Sequence, residues 1–494
     1  MRIGGRLAGL TIGLASVAAL HPAFAQTTAT RHHRLTANVV IRAPDPTHPR
    51  DAMQPHTLDQ ALAAAYASNP SLLAARAQLR ATDEGVPQAL AGWRPTITIS
   101  GGVGYGNGTT RSVTDGFATD TPNERDIFTG QVSVTQPLYR GGKTRAQTNQ
   151  AENSVMAQRA SLIASEEQVF TDTVNAYVGV IEAQQVEALN ESNVQVLTRQ
   201  LQATNDRFRV GEITRTDVAQ AEAALAGGQA QLETAQGNLQ TARATYLREI
   251  GFMPEKLIEP QALRVPLKTE QQAAQLAAAN NPNVVAAQFQ DAAARDAIDV
   301  AFSALMPSVN ITASALRDDN STIAQQRTIG GQALLNVTVP LYQGGAEYSA
   351  VRQARQTEQQ RRKGVDDARR QAVQQAVQAW ETLVAARSTA ESTRVQIRAN
   401  QIALDGVERE AILGSRTTLD VLNAQQALLN SEVTLVQNLA SIVTASYTLA
   451  SAIGRLTARD LNLSVPLYDE TAYYHAVRDR LFGTGDYATG QPGR

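Results

Sequence analysis

The chain contains no cysteine, and its histidines are confined to the two ends. His21, His32, His33, His48 and His56 lie at the front, His475 lies near the back, and there is none between His56 and His475. Without cysteine there are no disulfides, thiolate metal sites, cysteine nucleophiles or lipid attached to an N-terminal cysteine. Without histidine the body lacks the commonest general base and the commonest zinc ligand. An enzyme is therefore disfavoured; only carboxylate chemistry is left to it, and no catalytic, metal or cofactor site is expected. Aromatic residues are scarce, at 5%, which argues against the about three compact domains that this length would otherwise suggest. Charge of one sign is missing too: 44 basic residues face 46 acidic ones, a net of −2. No dense Lys/Arg stripe offers a nucleic-acid backbone a foothold. Ala and Gln are plentiful instead, and they suit long helices that touch through small residues.

Residues 1–25 read as a secretory signal. Arg2 and Arg6 precede an uncharged apolar run from Leu7 to Leu20, and Ala23-Phe24-Ala25 forms a small-x-small cleavage site. The run falls short of the ~20 residues of a spanning helix, so a membrane anchor is the weaker reading. No later segment is an uninterrupted apolar stretch of spanning length. The chain is expected to be exported, and to enter a membrane, if at all, other than by helices. Residues 26–56 scatter Pro44, Pro46, Pro49 and Pro55 among polar residues and read as a flexible tail. His32, His33 and His48 there fit incidental solvated histidines better than a metal site. Residues 457–494 form a C-terminal segment whose Gly-rich end is expected to be disordered.

Between the tails, one unit is written twice. Asn69-Pro70 returns as Asn281-Pro282 and Pro95 as Pro307, both 212 residues later. Pro137-Leu138-Tyr139-Arg140-Gly141-Gly142 returns as Pro340-Leu341-Tyr342-Gln343-Gly344-Gly345, 203 later, and the same offset relates Gly211 to Gly414, Asp217 to Asp420 and Gly251 to Gly454. The offset falls by nine at one place, between Pro95 and Pro137. The units span 57–262 and 263–456. Each opens with a helical stretch (Leu58 to Trp93; Glu270 to Met306) ended by proline, which removes a backbone donor.

Alternating strands follow, over about 96–106 and 130–138 in the first unit and about 308–316 and 331–341 in the second. Ten or so residues with one apolar and one polar face suit a tilted strand crossing a bilayer. Tyr105, Tyr139 and Tyr342 fall where an interfacial aromatic belt would lie. The acidic stretch Asp115, Asp120, Glu124 and Asp126 reads as a soluble loop holding the nine extra residues. Four strands cannot close a barrel, because about eight is the smallest single-chain size, and lipid does not tolerate open edges. Several copies must therefore share one barrel; three would supply twelve strands.

Long hairpins follow the strands, over 144–250 and 346–453, with tips near Gly211 and Gly414. Thr144 to Phe208 has no Pro and a single Gly, Gly179, and at 1.5 Å per residue each rising helix is roughly 100 Å long. Ala376, Leu383, Ala390, Ile397 and Leu404 recur every seven residues, flanked by Ala372, Ala379 and Ala386. This narrow seam suits helix-on-helix packing, and no stripe is wide enough for a globular core. The expected fold class is thus a mixed α+β membrane protein: a β-barrel to which each copy lends four strands, with the long coiled hairpins continuing its wall.

At this point the sequence resembles the TolC family of outer-membrane efflux and secretion channels over Thr57 to about Gly454. The resemblance is carried by Gln136-Pro137-Leu138-Tyr139, Val339-Pro340-Leu341-Tyr342, Arg207-Phe208-Arg209-Val210-Gly211 and, most specifically, the segment from Gly414 to Ala424. It implies a homotrimer in which a twelve-stranded outer-membrane β-barrel, four strands from each chain, is continued into the periplasm by a twelve-helix α-barrel. It implies a passive exit duct of a tripartite efflux pump or type I secretion system, opened at the tips by a periplasmic adaptor (membrane fusion) protein. An inner-membrane transporter of RND, ABC or MFS type would supply the energy. Asp420 matches an acidic ring at the constriction, and Asn423 stands where the family's best-known member has a second aspartate, so the field should be weaker. Arg416 matches an arginine that locks the moving hairpin through Thr216 and Asp217, and Ala411 replaces the tyrosine of that lock. Val210, Gly211, Leu413, Gly414 and Ser415 match the tips where adaptors dock. Without the resemblance, Asp420 would read as an ordinary solvated helix residue. Drug efflux, metabolite export and protein secretion all fit; metal export fits less well, with no His and few Met in the body. The alternatives are a soluble periplasmic coiled-coil adaptor or scaffold and, with no motif to support it, an envelope hydrolase.

Overall fold

The computed structural model describes residues 55–321, 324–485 and 487. The signal at 1–25, nearly all of the tail at 26–56 and the last residues of the C-terminal segment lie outside these described residues.

Alternation in the sequence becomes two antiparallel hairpins laid side by side. Strands β1 (Thr96–Thr114), β2 (Phe117–Arg140), β3 (Ser308–Asp319) and β4 (Arg327–Thr338) form one sheet in the order β1-β2-β3-β4. The register collects the apolar residues on one face. Ile97, Ile99 and Val103 stand opposite Val134, Val132 and Phe128. Val134 and Val132 then meet Ala313 and Ala315, and Ile311 and Val309 meet Leu335 and Val337. Cross-strand partners share a face, so the other face is polar: Thr98 opposes Ser133, Ser133 opposes Ser314, and Ser314 opposes Gln332. On that face Asn336 Nδ2 donates to Asn310 Oδ1 at 3.0 Å and to Thr312 Oγ1 at 3.2 Å.

The first hairpin departs from the sequence reading. No loop spans Asp115 to Asp126. Strand pairing continues to Thr114–Phe117, and only Asp115 and Gly116 turn, at φ 52° and 85°. Asp-Gly with both φ positive is the two-residue turn that matches strand twist. Asp120, Glu124 and Asp126 are therefore strand residues, and Arg111 pairs with Asp120 at 3.8 Å. β1 and β2 contain 19 and 24 residues, well beyond the expected ten. β3 stops at Asp319, opposite Phe128, so the first hairpin projects past the second by about 11 residues, roughly 36 Å at strand rise. Proline disturbs the strands at their other ends. The β2–β3 register shifts between Pro137 and Tyr139, and β4 ends before Pro340, short of the expected Leu341; proline has no N–H for the ladder.

Helices α1 (Leu58–Ser68), α2 (Pro70–Asp83) and α3 (Gly85–Leu90) precede β1, and α4 (Lys143–Arg209) and α5 (Arg215–Ile250) follow β2. The second unit repeats the plan with α6 (Glu270–Asn280), α7 (Pro282–Phe302), α8 (Ala346–Ile412) and α9 (Thr418–Ala452), and α10 (Ala472–Val477) lies near the end. Strand becomes helix through a glycine pair in each unit. Gly141 and Gly142 have φ of 62° and 84°; Gly344 and Gly345 have 70° and 83°. A left-handed residue with a Cβ is strained, so only glycine turns the chain here without penalty. α4 and α8 are both 67 residues long, and each packs against its returning partner, α5 or α9. In α8 the buried positions include Ala372, Ala376, Ala379, Leu383, Ala386 and Ala390, the small-residue seam of the sequence, whereas Ile397 and Leu404 are half-buried. α9 is long and apolar enough to cross a membrane by composition, but its buried residues pack on α8 and on the core.

A core does exist, contrary to the reading that no stripe was wide enough. No single helix supplies it. Leu58, Leu62 and Tyr66 of α1, Leu72 and Leu79 of α2, Phe170, Val174 and Tyr177 of α4, and Tyr246 and Ile250 of α5 converge with Tyr447 of α9 and Leu456 beyond it. Tyr177 Oη sits 2.7 Å from the His56 carbonyl and 2.8 Å from that of Ile258. The recurrent Asn-Pro steps serve this region. Asn69 caps α2 through Ser71 N and donates to Glu249 O at 3.0 Å; Asn281 caps α7 through Asn283 N and donates to Ala452 O at 3.0 Å. Each unit thus ties the end of its returning helix to its own start. Two carboxylates close the C-terminal segment onto α4: Glu167 accepts from Leu456 N at 3.2 Å and Glu166 from Ala458 N at 2.6 Å. Burial pushes Glu167 up to about 8, against the opposing pull of the Leu456 hydrogen bond.

Two predictions follow from this packing. A Cβ at Gly141 would lie 2.6 Å from Ser303 O and from Met306 Cβ, whereas the repeat-equivalent Gly344 has open space around it. Gly344→Ala should cost only the left-handed strain, about 1–2 kcal/mol. Gly141→Ala should cost clearly more, read as a larger fall in the melting temperature of detergent-solubilised protein; equal falls would contradict the crowded junction. Glu167 binds its proton more tightly folded than unfolded, so it makes stability decline as pH rises from about 4.5 to about 8, by up to ~1.4 kcal/mol per pH unit. Glu167→Gln should raise the melting temperature at pH 8 more than at pH 5.

Candidate functional site at the hairpin tips

Each long hairpin turns through the same two local devices, placed 203 residues apart. First comes a helix stop. Gly211 N donates to Phe208 O and Glu212 N to Arg207 O, both at 3.0 Å; Gly414 N donates to Ala411 O at 3.2 Å and Ser415 N to Glu410 O at 3.0 Å. Gly211 and Gly414 both have φ of 80°. This pair of bonds around a left-handed glycine is the Schellman motif. Then comes a helix start. Thr214 and Thr417 are the N-caps of α5 and α9, each in a reciprocal capping box with the aspartate three residues on.

The sequence-derived site residues occupy these devices. Asp420 Oδ2 accepts from Thr417 N at 2.9 Å and from Thr417 Oγ1 at 2.8 Å. Asp217 Oδ2 accepts from Thr214 N at 3.0 Å and Thr214 Oγ1 at 2.7 Å. These hydrogen bonds hold both carboxyls below the ordinary carboxylate value: for Asp420 the Thr417 N–H first, for Asp217 the Thr214 hydroxyl. Both are anions at neutral pH, at helix N-termini that favour negative charge. Asn423 lies on the exposed surface of α9 one turn after Asp420, so the two share a helix face.

Arg416 is engaged elsewhere than expected. Its Nε pairs with Glu410 Oε2 at 2.9 Å across its own tip. That hydrogen bond is the main cause of the raised guanidinium pKa, with Asp420 adding a smaller field. Within one chain the structure does not bring Arg416 to Thr216 or Asp217; Thr216 is exposed and Asp217 serves its own cap. The first tip has a matching bridge, Arg207 Nε to Glu212 Oε2 at 3.0 Å. Arg207 and Glu410 are repeat-equivalent, so the two tips are closed by ion pairs of exchanged polarity.

Around these polar locks the tips are apolar and bare. Val210, Ile412 and Leu413 are 72%, 80% and 83% exposed, and Phe208 and Leu419 are also exposed. Gly211, Gly414 and Ser415 are exposed between them. At the sheet, Tyr139 and Tyr342 are exposed at the ends nearest the helices. Tyr105 is exposed too, but mid-strand, because β1 continues nine residues beyond it. It lies two residues past Val103, which is level through Phe128 with the last residue of β3. The capping partners Thr214 and Thr417 and the bridging Glu410 escaped the sequence reading, although Thr-x-x-Asp after a helix-ending glycine is a visible start signal.

The sequence profile described as "Outer membrane efflux protein" matches residues 61–250 and 273–455, one segment per unit. The chain is 37% identical over 430 residues to the outer membrane efflux protein BepC of Brucella suis biovar 1 (strain 1330), covering 86% of this chain and 91% of that one. It is 26% identical over 431 residues to the outer membrane protein TolC of Escherichia coli (strain K12), covering 83% and 84%. Among solved structures, the outer membrane protein VceC of Vibrio cholerae superposes with a TM-score of 0.68 at 20% identity, covering 80% of this chain and 96% of that one.

The caps carry a prediction. Thr417→Val removes both Thr417 hydroxyl bonds and should cost about 1 kcal/mol at the start of α9. Amide hydrogen exchange in the first turn of α9 should speed up about fivefold; unchanged exchange would mean that the box holds nothing.

Proposed function

Because the chain belongs to the outer membrane efflux protein family and resides in the outer membrane, we propose that it is a homotrimeric exit duct, passive in itself, for a tripartite efflux pump or type I secretion system. The observation that carries this reading is the sheet: apolar on one face, polar on the other, with β1 and β4 each paired on one side only. Lipid leaves no open edge, so both edges call for strands of other copies. Two copies give eight strands, about the size whose interior side chains fill. Three give twelve, which leaves room for water inside the polar face. Pairing β1 of one copy with β4 of the next closes such a ring, and the glycine pairs carry its wall into six long hairpins.

At the far end the tips converge on one axis. Three Asp420 carboxylates, already anionic, would ring the narrowest aqueous path and favour cations. Asn423 below them adds no charge, so the selectivity is milder than a double ring of aspartates would impose. Closed and open states differ in how neighbouring hairpins meet. In the closed trimer Arg416 would reach Thr216 and Asp217 of a neighbouring copy, exchanging its Glu410 partner for a second charge-assisted pair. The bare apolar tips, Val210, Gly211, Leu413, Gly414 and Ser415, supply the surface on which a periplasmic adaptor docks, while an inner-membrane RND, ABC or MFS-type transporter provides the energy. The soluble scaffold considered from sequence is set aside by the outer-membrane location.

Purified protein should run as a trimer in native mass measurement and conduct when inserted into planar bilayers. A lone chain that stays soluble without detergent, or a bilayer that remains silent, would defeat the proposal. Arg416→Ser and Asp217→Ala should each raise resting conductance; if neither does, the lock assignment fails while the duct stands.

A further inference from the structure

The C-terminal segment is strapped along the outside of the helices by a series of anchors. Tyr468 N donates to Tyr66 Oη at 3.0 Å. Tyr473 Oη donates to Glu84 Oε1 at 2.8 Å, and Arg478 Nη2 to Glu152 Oε1 at 3.4 Å. Arg94 Nη1 donates to the carbonyl of Arg480 at 2.7 Å. The partners lie in α1, at the junction of α2 and α3, in the first turns of α4, and two residues before β1. The strap therefore climbs from the core to the rim where the sheet begins.

At that rim it presents Leu481 and Phe482, 72% and 88% exposed. These are built positions. Arg480 is held on one side by Arg94, and its guanidinium lies 3.8 Å from the ring centre of Tyr487 on the other. Among the described residues none covers the apolar pair. The neighbouring rim is apolar as well: Trp93, whose carbonyl accepts from Gln136 Nε2 at 2.9 Å, and Tyr139 are both exposed.

We propose that Leu481–Phe482 is a membrane foot, inserted into the phospholipid of the periplasmic leaflet of the outer membrane with Arg480 at the level of the phosphates. The inference rests on reading the sheet as a membrane barrel. Lipid is the occupant because the pair continues the apolar rim of that sheet. An apolar pair flanked by arginine also has the chemistry of an interfacial segment, aliphatic and aromatic side chains among acyl tails and a cation among anionic headgroups. The strap then does more than close the core. It gives each copy a second attachment to the bilayer, outside the barrel wall, in a chain that has no cysteine for a lipid anchor.

Absence of cysteine also makes the test clean, since an introduced one is the sole labelling site. Phe482→Cys, Ile99→Cys on the apolar sheet face and Ser392→Cys on exposed α8 are each given a nitroxide label. The full-length proteins are reconstituted into phosphatidylethanolamine and phosphatidylglycerol vesicles. Collision with oxygen is compared with collision with a water-soluble nickel chelate. The label at 482 should behave like that at 99, with an oxygen-to-nickel ratio about tenfold above that at 392. If 482 resembles 392 while 99 reports lipid, the foot is wrong and the barrel stands. If 99 itself reports water, the barrel reading fails and takes the foot with it. A label at 482 shielded from both reagents would place protein over the pair and overturn the proposal.

Discussion

Everything in this fold answers to the two unpaired edges of one four-stranded sheet. A strand edge is a row of backbone donors and acceptors, and hydrocarbon offers them nothing. β2 and β3 are satisfied within the chain; β1 and β4 are satisfied on one side only. On the proposed barrel reading, the apolar face meets lipid and the polar ladder of Asn310, Thr312 and Asn336 faces the enclosed water. Which residues share each face follows from register alone, because a slip of one residue would exchange the faces.

The duplicated unit solves the same local problem twice and then lets chemistry diverge. The helix stops, capping boxes, glycine pairs and Asn-Pro ties recur with the same hydrogen bonds. The ion pairs that brace the tips do not: Arg207 and Glu410 occupy equivalent positions with opposite charge. Backbone geometry is therefore held by both halves, and electrostatic identity is assigned to each half separately. Gly141 is packed against Ser303 and Met306 while Gly344 stands free, which shows the same freedom at the membrane end.

Much of this was legible in the amino-acid order. The repeat, the two long hairpins, their tips and the alternating strands follow from Gly, Pro and periodicity, signals that are local. The expectation failed where the determinants were not local. The acidic stretch from Asp115 to Asp126 looked like a loop because charge suggests solvent. In fact a two-residue Asp-Gly turn between Thr114 and Phe117 lets the ladder continue through Asp120, Glu124 and Asp126. The core was missed because it is assembled from α1, α2, α4, α5, α9 and the segment after α9, parts far apart in the sequence whose convergence no single helical stripe announces. At the tips, the positions of Asp217, Arg416 and Asp420 were readable, but their partners were not. Each aspartate is held by its own cap, and Arg416 by Glu410 six residues earlier.

The two rising helices are of equal length, 67 residues each, and this bears on how such a chain can evolve. Adding one residue to either would swing every side chain below it by about 100° and lower one tip by about 1.5 Å relative to the other. Genetic insertions and deletions are thus forbidden singly in the shafts, where they would have to arrive in matched pairs. The strand hairpins bear no such constraint, and there the first unit has absorbed its nine additional residues. Drift in length should accumulate at the turns of the sheet, while the helical shaft keeps its measure.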